Sequence, residues 1–181
     1  MLVLWVLQAK SLKVTQSNAP KVKPAAQDLV FGKQFTDHML TIKWSAKHGW
    51  ESPEIRPFAN LSLDPSANVL HYASTLFEGM KAYVDKNGQP RLFRPDKNME
   101  RMKRTAARLA FPDFDGDTLT QLIKRYVDLD QAWIPNEPGH SLYLRPTMIG
   151  TQAGLGVNVP EEVLLYVIAS PVGPYYKTGF K

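Results

Sequence analysis

With 181 residues, 44% of them hydrophobic and 22% charged, the chain has the size and composition of one globular domain with tails. It contains no cysteine, which excludes disulfide staples, thiolate zinc sites, iron–sulfur clusters and cysteine nucleophiles. Its longest apolar runs, residues 1–7 and 163–169, are seven residues each, against the roughly 20 that a membrane span needs.

The net charge of +5 arises largely in residues 1–27, which carry Lys10, Lys13, Lys21 and Lys23 and no acid; the remainder has 18 basic against 17 acidic side chains. That distribution describes a basic leader rather than a phosphate-tracking groove, so the expected partners include no nucleic acid and no membrane. Residues 1–27 read as a disordered leader. An acid-free apolar start followed by lysines and hydroxyl residues is compatible with a mitochondrial transit peptide, although every positive charge here is lysine rather than arginine. Mitochondrial and cytoplasmic placements both stay open.

From Asp28 onward, strands are expected over 29–31, 39–44, 80–84, 90–93, 141–149 and 163–170, each short, rich in β-branched or aromatic residues and bounded by turn residues. Asp85-Lys-Asn-Gly88 between the third and fourth is a hairpin signal. One helix is expected from an Asn98 N-cap to about Ala110, with Met99, Met102, Ala106 and Leu109 along one stripe. A second is expected over 118–133, with Leu119, Leu122, Ile123, Tyr126 and Val127 inward. Strands, then helices, then strands without regular βαβ spacing predict an α+β domain over 28–170 with a largely antiparallel sheet. Residues 171–181, rich in Pro and Gly, read as the start of a linker.

His38, His48, His71 and His140 show no metal-ligand spacing, so no metal site is expected, and there is no Walker loop, dinucleotide fingerprint or nucleophile elbow. Three constellations remain. In Ser141-Leu-Tyr-Leu-Arg-Pro146, strand alternation puts Tyr143 and Arg145 on one face, where a phenol and a guanidinium together can grip a carboxylate; the plain alternative is a half-exposed strand with Arg145 in water. Pro146 predicts an edge or a bulge. On the Asn98 helix, Arg101, Arg104 and Arg108 share the face opposite the apolar stripe, which is either a solvated basic face or, with Arg101 in the first turn, a phosphate site. In His71-Tyr-Ala-Ser-Thr-Leu-Phe-Glu-Gly79, the aromatics Tyr72 and Phe77 read by themselves as core packing before a Gly79 turn.

Together with Asp28-Leu-Val-Phe-Gly-Lys-Gln-Phe, Arg91-Leu-Phe-Arg-Pro95, Asn98-Met-Glu-Arg-Met and Gly154-Leu-Gly-Val157, these motifs resemble the amino-terminal half of the eukaryotic branched-chain-amino-acid aminotransferases, fold-type IV pyridoxal-phosphate enzymes. The likeness runs over about residues 28–180, and none is evident in residues 1–27. It implies the small α+β domain of that fold and transamination between leucine, isoleucine or valine and 2-oxoglutarate. It further implies pyridoxal 5′-phosphate as cofactor, amino acids and 2-oxo acids as small-molecule partners, and a homodimer. By the same resemblance Arg101 would hold the cofactor phosphate, and Phe31, Phe77, Tyr143 and Tyr175 would wall an aliphatic pocket. Arg145 would take the distal carboxylate of glutamate, and Tyr72, Leu155 and Val157 would serve the neighbouring subunit's site. The Tyr143/Arg145 pair with the Phe31 segment favours branched-chain specificity over the D-amino-acid aminotransferases and aminodeoxychorismate lyases of the same fold type.

The family's Schiff-base lysine lies in a carboxy-terminal domain, and its surrounding motif has no counterpart here. Lys181 lies in linker-like sequence, and Lys81 sits in a hairpin strand whose neighbours Glu78 and Lys86 imply solvent. The expectation is a chain lacking the catalytic lysine and inactive alone; the other reading is a non-catalytic small domain acting only in dimerisation or interaction.

Overall fold

The computed structural model describes residues 7–174. Nine strands form one sheet, in the order β1 (Lys13–Val14), β4 (Glu54–Pro57), β2 (His38–Ser45), β9 (Glu162–Val172), β8 (Ser141–Gly150), β6 (Met80–Val84) and β7 (Pro90–Leu92), with β3 (Gly49–Trp50) on β2 and β5 (Thr75–Phe77) on β8. Among the described residues only the β1–β4 pair is parallel. Three helices accompany it: α1 (Asn68–Tyr72), α2 (Pro95–Arg108) and α3 (Gly116–Leu129). The α+β architecture with a largely antiparallel sheet and two main helices is therefore as the sequence predicts.

Period-2 alternation divides the long central strands into two faces. Leu142, Leu144 and Met148 of β8, with Leu165, Val167 and Ala169 of β9, turn towards the apolar stripes of α2 and α3, and all are buried in one core with Met102, Leu119, Leu122, Ile123 and Tyr126. Removing a fully buried leucine such as Leu122 from this packing costs about 2–5 kcal/mol. The opposite face carries Tyr143, Arg145 and Thr147, and that face positions the site.

Several boundaries differ from expectation for identifiable reasons. Residues 29–31 form no strand: Lys33 N–H donates to the Val30 carbonyl at 3.1 Å, and Gly32 takes φ +67°, so Phe31 stands on a turn. Asn98 is not a cap. The helix begins three residues earlier, with Pro95 at its first position behind a left-handed Arg94, because proline's fixed φ suits a helix start. Arg101 consequently lies in the second turn, and the first-turn phosphate argument does not apply to it. The second helix starts at Gly116, where the Asp115 carboxylate accepts from Thr118 N–H at 2.7 Å, and it ends at Leu129 before a separate 3-10 turn, Gln131–Trp133. Leu109 caps α2 and is 36% exposed, outside the buried stripe. Strand β9 continues past residue 170 to Val172, since Pro171 still pairs in register with Leu142.

The expectation of a structureless leader fails for residues 7–27. Leu7 is buried in the core, Lys13–Val14 pairs with β4, and Ser17 N–H donates to His38 Nε2 at 2.9 Å. The Lys21 backbone N–H meets Asp37 Oδ1 at 2.7 Å, and its ammonium reaches the Thr36 carbonyl at 2.8 Å. Few apolar residues and no strong periodicity mark this segment, so its order comes from tertiary pairing that local sequence does not display. Residues 1–6 lie outside the described part.

Candidate active site

The site is organised by an interruption in the strand beside β8. Strand β5 pairs Phe77 with Thr147, and β6 pairs Met80 with Leu144, in one continuous register. Glu78 and Gly79 therefore lie opposite Pro146 and Arg145 with no inserted residue, so Pro146 marks a gap in the ladder rather than the edge or bulge expected. Glu78 N–H donates to the Pro146 carbonyl at 2.8 Å, and the proline has no N–H to return.

Alternation through this gap turns Phe77 and Gly79 to the same face as Tyr143 and Arg145, and Glu78 to the helix face. Gly79 is required by the close approach of a neighbour: a Cβ there would stand 2.6 Å from the Tyr143 hydroxyl oxygen. Arg145 extends over Phe77, its Cζ 4.6 Å from the ring centroid, and donates to the Tyr143 hydroxyl from Nη2 at 3.1 Å and Nε at 3.4 Å. Phe31 meets Tyr143 edge-on at 5.1 Å between centroids. Phe31, Tyr143 and Arg145 line a small cavity of about 100 Å³ closed by Phe35, Ile168 and Ser170. The core-packing reading of Phe77 does not hold, since it is 60% exposed and its neighbour Leu76 takes the buried place. Arg145 is half-buried rather than free in water.

Glu78, which the sequence suggested as a marker of solvent, is 4% exposed. Its Oε1 accepts from Arg101 Nε and its Oε2 from Arg101 Nη2, both at 2.6 Å, and Oε2 also accepts from Asn98 Nδ2 at 3.1 Å and Gly79 N–H at 3.3 Å. Asn98 donates in addition to the Gly79 carbonyl at 2.9 Å. Burial pushes the Glu78 carboxyl towards the neutral form, but the hydrogen bonds from Arg101 and Asn98, with the guanidinium charge, outweigh it and hold its pKa below the ordinary glutamate value. The same bonds raise Arg101 further above its usual range. No sequence signal short of the i, i+3 spacing of Asn98 and Arg101 could have assigned Glu78 this place.

Arg101 opens onto a second cavity, of about 570 Å³, whose lining includes Lys81, Arg94, Lys97, Arg104 and the Tyr143 ring. Glu100 is the one carboxylate in that lining, and it is paired with Lys97 at 2.7 Å. Tyr143 thus borders both cavities; Arg145 lines the first only and Arg101 the second only.

Tyr72 lies elsewhere, beyond the Gly150 end of β8, where its hydroxyl donates to the Leu155 carbonyl. Tyr72, Leu155 and Val157 are all exposed on that edge, and neither a side-chain hydrogen bond nor an aromatic pair joins them to the Tyr143 cluster among the described residues. Tyr175 lies outside the described residues. No group of three or more potential metal ligands clusters among the described residues.

The sequence model of the class IV amino-transferases matches residues 75–179, more than half of the chain. The chain belongs to that family. It is 56% identical over 175 residues to the mitochondrial branched-chain-amino-acid aminotransferase of Saccharomyces cerevisiae, covering 97% of this chain and 44% of that one. Against the cytosolic branched-chain-amino-acid aminotransferase of the same yeast it is 55% identical over 181 residues, 99% of this chain and 48% of the relative. The likeness therefore extends through most of residues 1–27, where none was evident from the sequence alone. Among solved structures, the T.th. branched-chain amino acid aminotransferase with pyridoxamine 5′-phosphate superposes with a TM-score of 0.53 at 26% identity, over 74% of this chain and 40% of that one. The chain spans less than half the length of the class IV relatives it matches.

Proposed function

We propose that this chain is the amino-terminal half of a branched-chain-amino-acid aminotransferase, which exchanges an amino group between leucine, isoleucine or valine and 2-oxoglutarate. The observation that carries the reading is the Phe31–Tyr143–Arg145–Phe77 cluster, because it answers a demand peculiar to such an enzyme: one pocket must take an aliphatic side chain in one half-reaction and a carboxylate in the other.

Phe31, Phe77 and Tyr143 meet the first demand by apolar burial, about 25 cal/mol per Å² and about 2 kcal/mol for a leucine side chain. Arg145 meets the second. With an aliphatic substrate its guanidinium rests on the Phe77 face and the Tyr143 hydroxyl, so no charge is left buried without a partner. With glutamate or 2-oxoglutarate, the distal carboxylate replaces those weaker contacts with charge-assisted hydrogen bonds. Switching between the two states needs only a side-chain rotation.

The cofactor reading extends to pyridoxal 5′-phosphate. The cavity at Arg101 fits its phosphate end: Lys81, Arg94, Arg101 and Arg104 outnumber the lone, paired Glu100, and a dianionic ester is the ligand such a donor set suits. When bound, the cofactor supplies an electron sink for charge at the substrate α-carbon. Within this chain, Arg101 binds and orients the phosphate, Tyr143 separates that cavity from the side-chain pocket, and the aromatic walls exclude water. The proton-transferring lysine belongs, in this reading, to a further domain. Tyr72, Leu155 and Val157 form an exposed apolar edge suited to completing a second subunit's site in a homodimer, and Tyr175 remains assigned to the aliphatic pocket. Residues 28–170 are the small α+β domain in this reading, with residues 7–27 packed onto it through Leu7, Lys13–Val14 and Ser17, and placement is mitochondrial or cytoplasmic, as for the two yeast relatives.

The test is transamination by the full-length protein, with leucine, isoleucine, valine and several non-branched amino acids as donors to 2-oxoglutarate. The expected result is turnover that prefers the three branched donors, with none from residues 1–181 expressed alone. Preference for an aromatic or D-amino acid donor would contradict it.

A further inference from the structure

Arg101 stands on the solvent side of α2 with a side chain 58% exposed, yet its Nε–H and one Nη2–H both end on a carboxylate that is 4% exposed. A long surface arginine ordinarily samples many rotamers, and holding it in one costs about 2 kcal/mol of side-chain entropy. Glu78 removes that freedom beforehand. It leaves the two Nη1 hydrogens and the second Nη2 hydrogen, which have no other acceptor among the described residues, on the edge of the guanidinium facing away from Glu78. The carboxylate is itself fixed by Asn98 and by the Gly79 N–H, in the strand gap that seats Tyr143.

By charge alone this arrangement is unfavourable for an anion site, because it puts a full negative charge against the guanidinium meant to attract a phosphate. A buried acid in that place makes physical sense only if orientation matters more than net charge. We propose that Glu78 is the positioning residue for phosphate recognition, clamping the Arg101 guanidinium so that its outer edge is presented to the phosphate ester, while tying that edge to the Gly79–Tyr143 wall of the side-chain pocket. The proposal rests on the reading of Arg101 as the phosphate-binding residue.

Affinities of the full-length protein for pyridoxal 5′-phosphate and for pyridoxal, compared as a ratio, test it, since a merely structural role would weaken both alike. Glu78→Gln puts an amide donor against Arg101 or Asn98 and loosens the clamp while removing the opposing charge. The expected result is about tenfold weaker binding of the phosphorylated form, unchanged binding of pyridoxal, and no added loss when Glu78→Gln is combined with Arg101→Met. Asn98→Ala, which keeps both charges, loosens the carboxylate alone and should lower the same ratio by about threefold; it serves if Glu78→Gln does not fold. An unchanged or increased ratio in Glu78→Gln, or an unchanged ratio in Asn98→Ala, beside a lowered ratio in Arg101→Met, overturns the role of Glu78 and leaves Arg101 in place. An unchanged ratio in Arg101→Met overturns the phosphate assignment itself.

Discussion

Gly79 lies so close under Tyr143 that a single added carbon would stand 2.6 Å from the phenol oxygen, and 3.0 Å from its ring edge. That relationship fixes the place of the Tyr143 ring, and with it the depth of the proposed aliphatic pocket. The clash falls on a half-buried aromatic held by Phe31 and Arg145, so it cannot be relieved by a flexible chain end. Gly79→Ala should destabilise the protein by about 1–3 kcal/mol and lower kcat/KM for leucine by tenfold or more, on the order expected when a substrate wall moves by about 1 Å. Urea denaturation with steady-state kinetics checks both; wild-type values for both would show that Tyr143 has another place to go.

The depressed pKa of Glu78 carries a pH signature. An acid whose folded-state pKa lies below its unfolded value stabilises the fold above the unfolded value, about 4.3 for glutamate, and loses that contribution as the pH falls through the folded value. Wild-type stability should therefore decline as the pH is lowered past about 4, and Glu78→Gln should decline less steeply over the same window. Parallel declines, followed by chemical denaturation at a series of pH values, would contradict the ion pair.

At the opposite end of α3, His38 joins the amino-terminal segment to the domain. Ser17 N–H occupies Nε2, so Nδ1 carries the ring proton and donates to Asp130 Oδ1 at 2.7 Å, both side chains being buried. His38→Ala leaves the Ser17 amide and a buried carboxylate oxygen without partners, at a cost of about 2–3 kcal/mol. Limited proteolysis should then cut within residues 7–21 faster than it does in the wild type. A variant as stable and as resistant as wild type would mean that the segment is held by Leu7 and β1 alone.

Strong local periodicity made much of this legible in sequence. The buried residues of α3 follow from the 3.6-residue repeat, and the shared face of Tyr143 and Arg145 follows from strand alternation, because both are set by the nearest few residues. Asn98 misled because its amide is equally suited to a helix cap and to a tertiary hydrogen bond, and its donors go to Glu78 and the Gly79 carbonyl. Glu78 misled for the complementary reason: a charged residue beside lysines reads as solvent-facing, and only the register of β5 and β6 against β8 turns it inward towards α2. Strand β1 and the Ser17–His38 contact were invisible because their partners lie 41 and 21 residues away.

In the proposed enzyme a single pocket serves both substrates, with Arg145 idle on Phe77 and Tyr143 for one and engaged for the other. Arg145→Met in the full-length protein separates the two most directly, since methionine keeps apolar contact with Phe77 and loses the charge. The expected result is a KM for glutamate and 2-oxoglutarate raised by about tenfold or more, the loss of a charge-assisted hydrogen bond, with the KM for leucine within about twofold of wild type. Equal changes for leucine and glutamate would show that Arg145 does not receive the distal carboxylate.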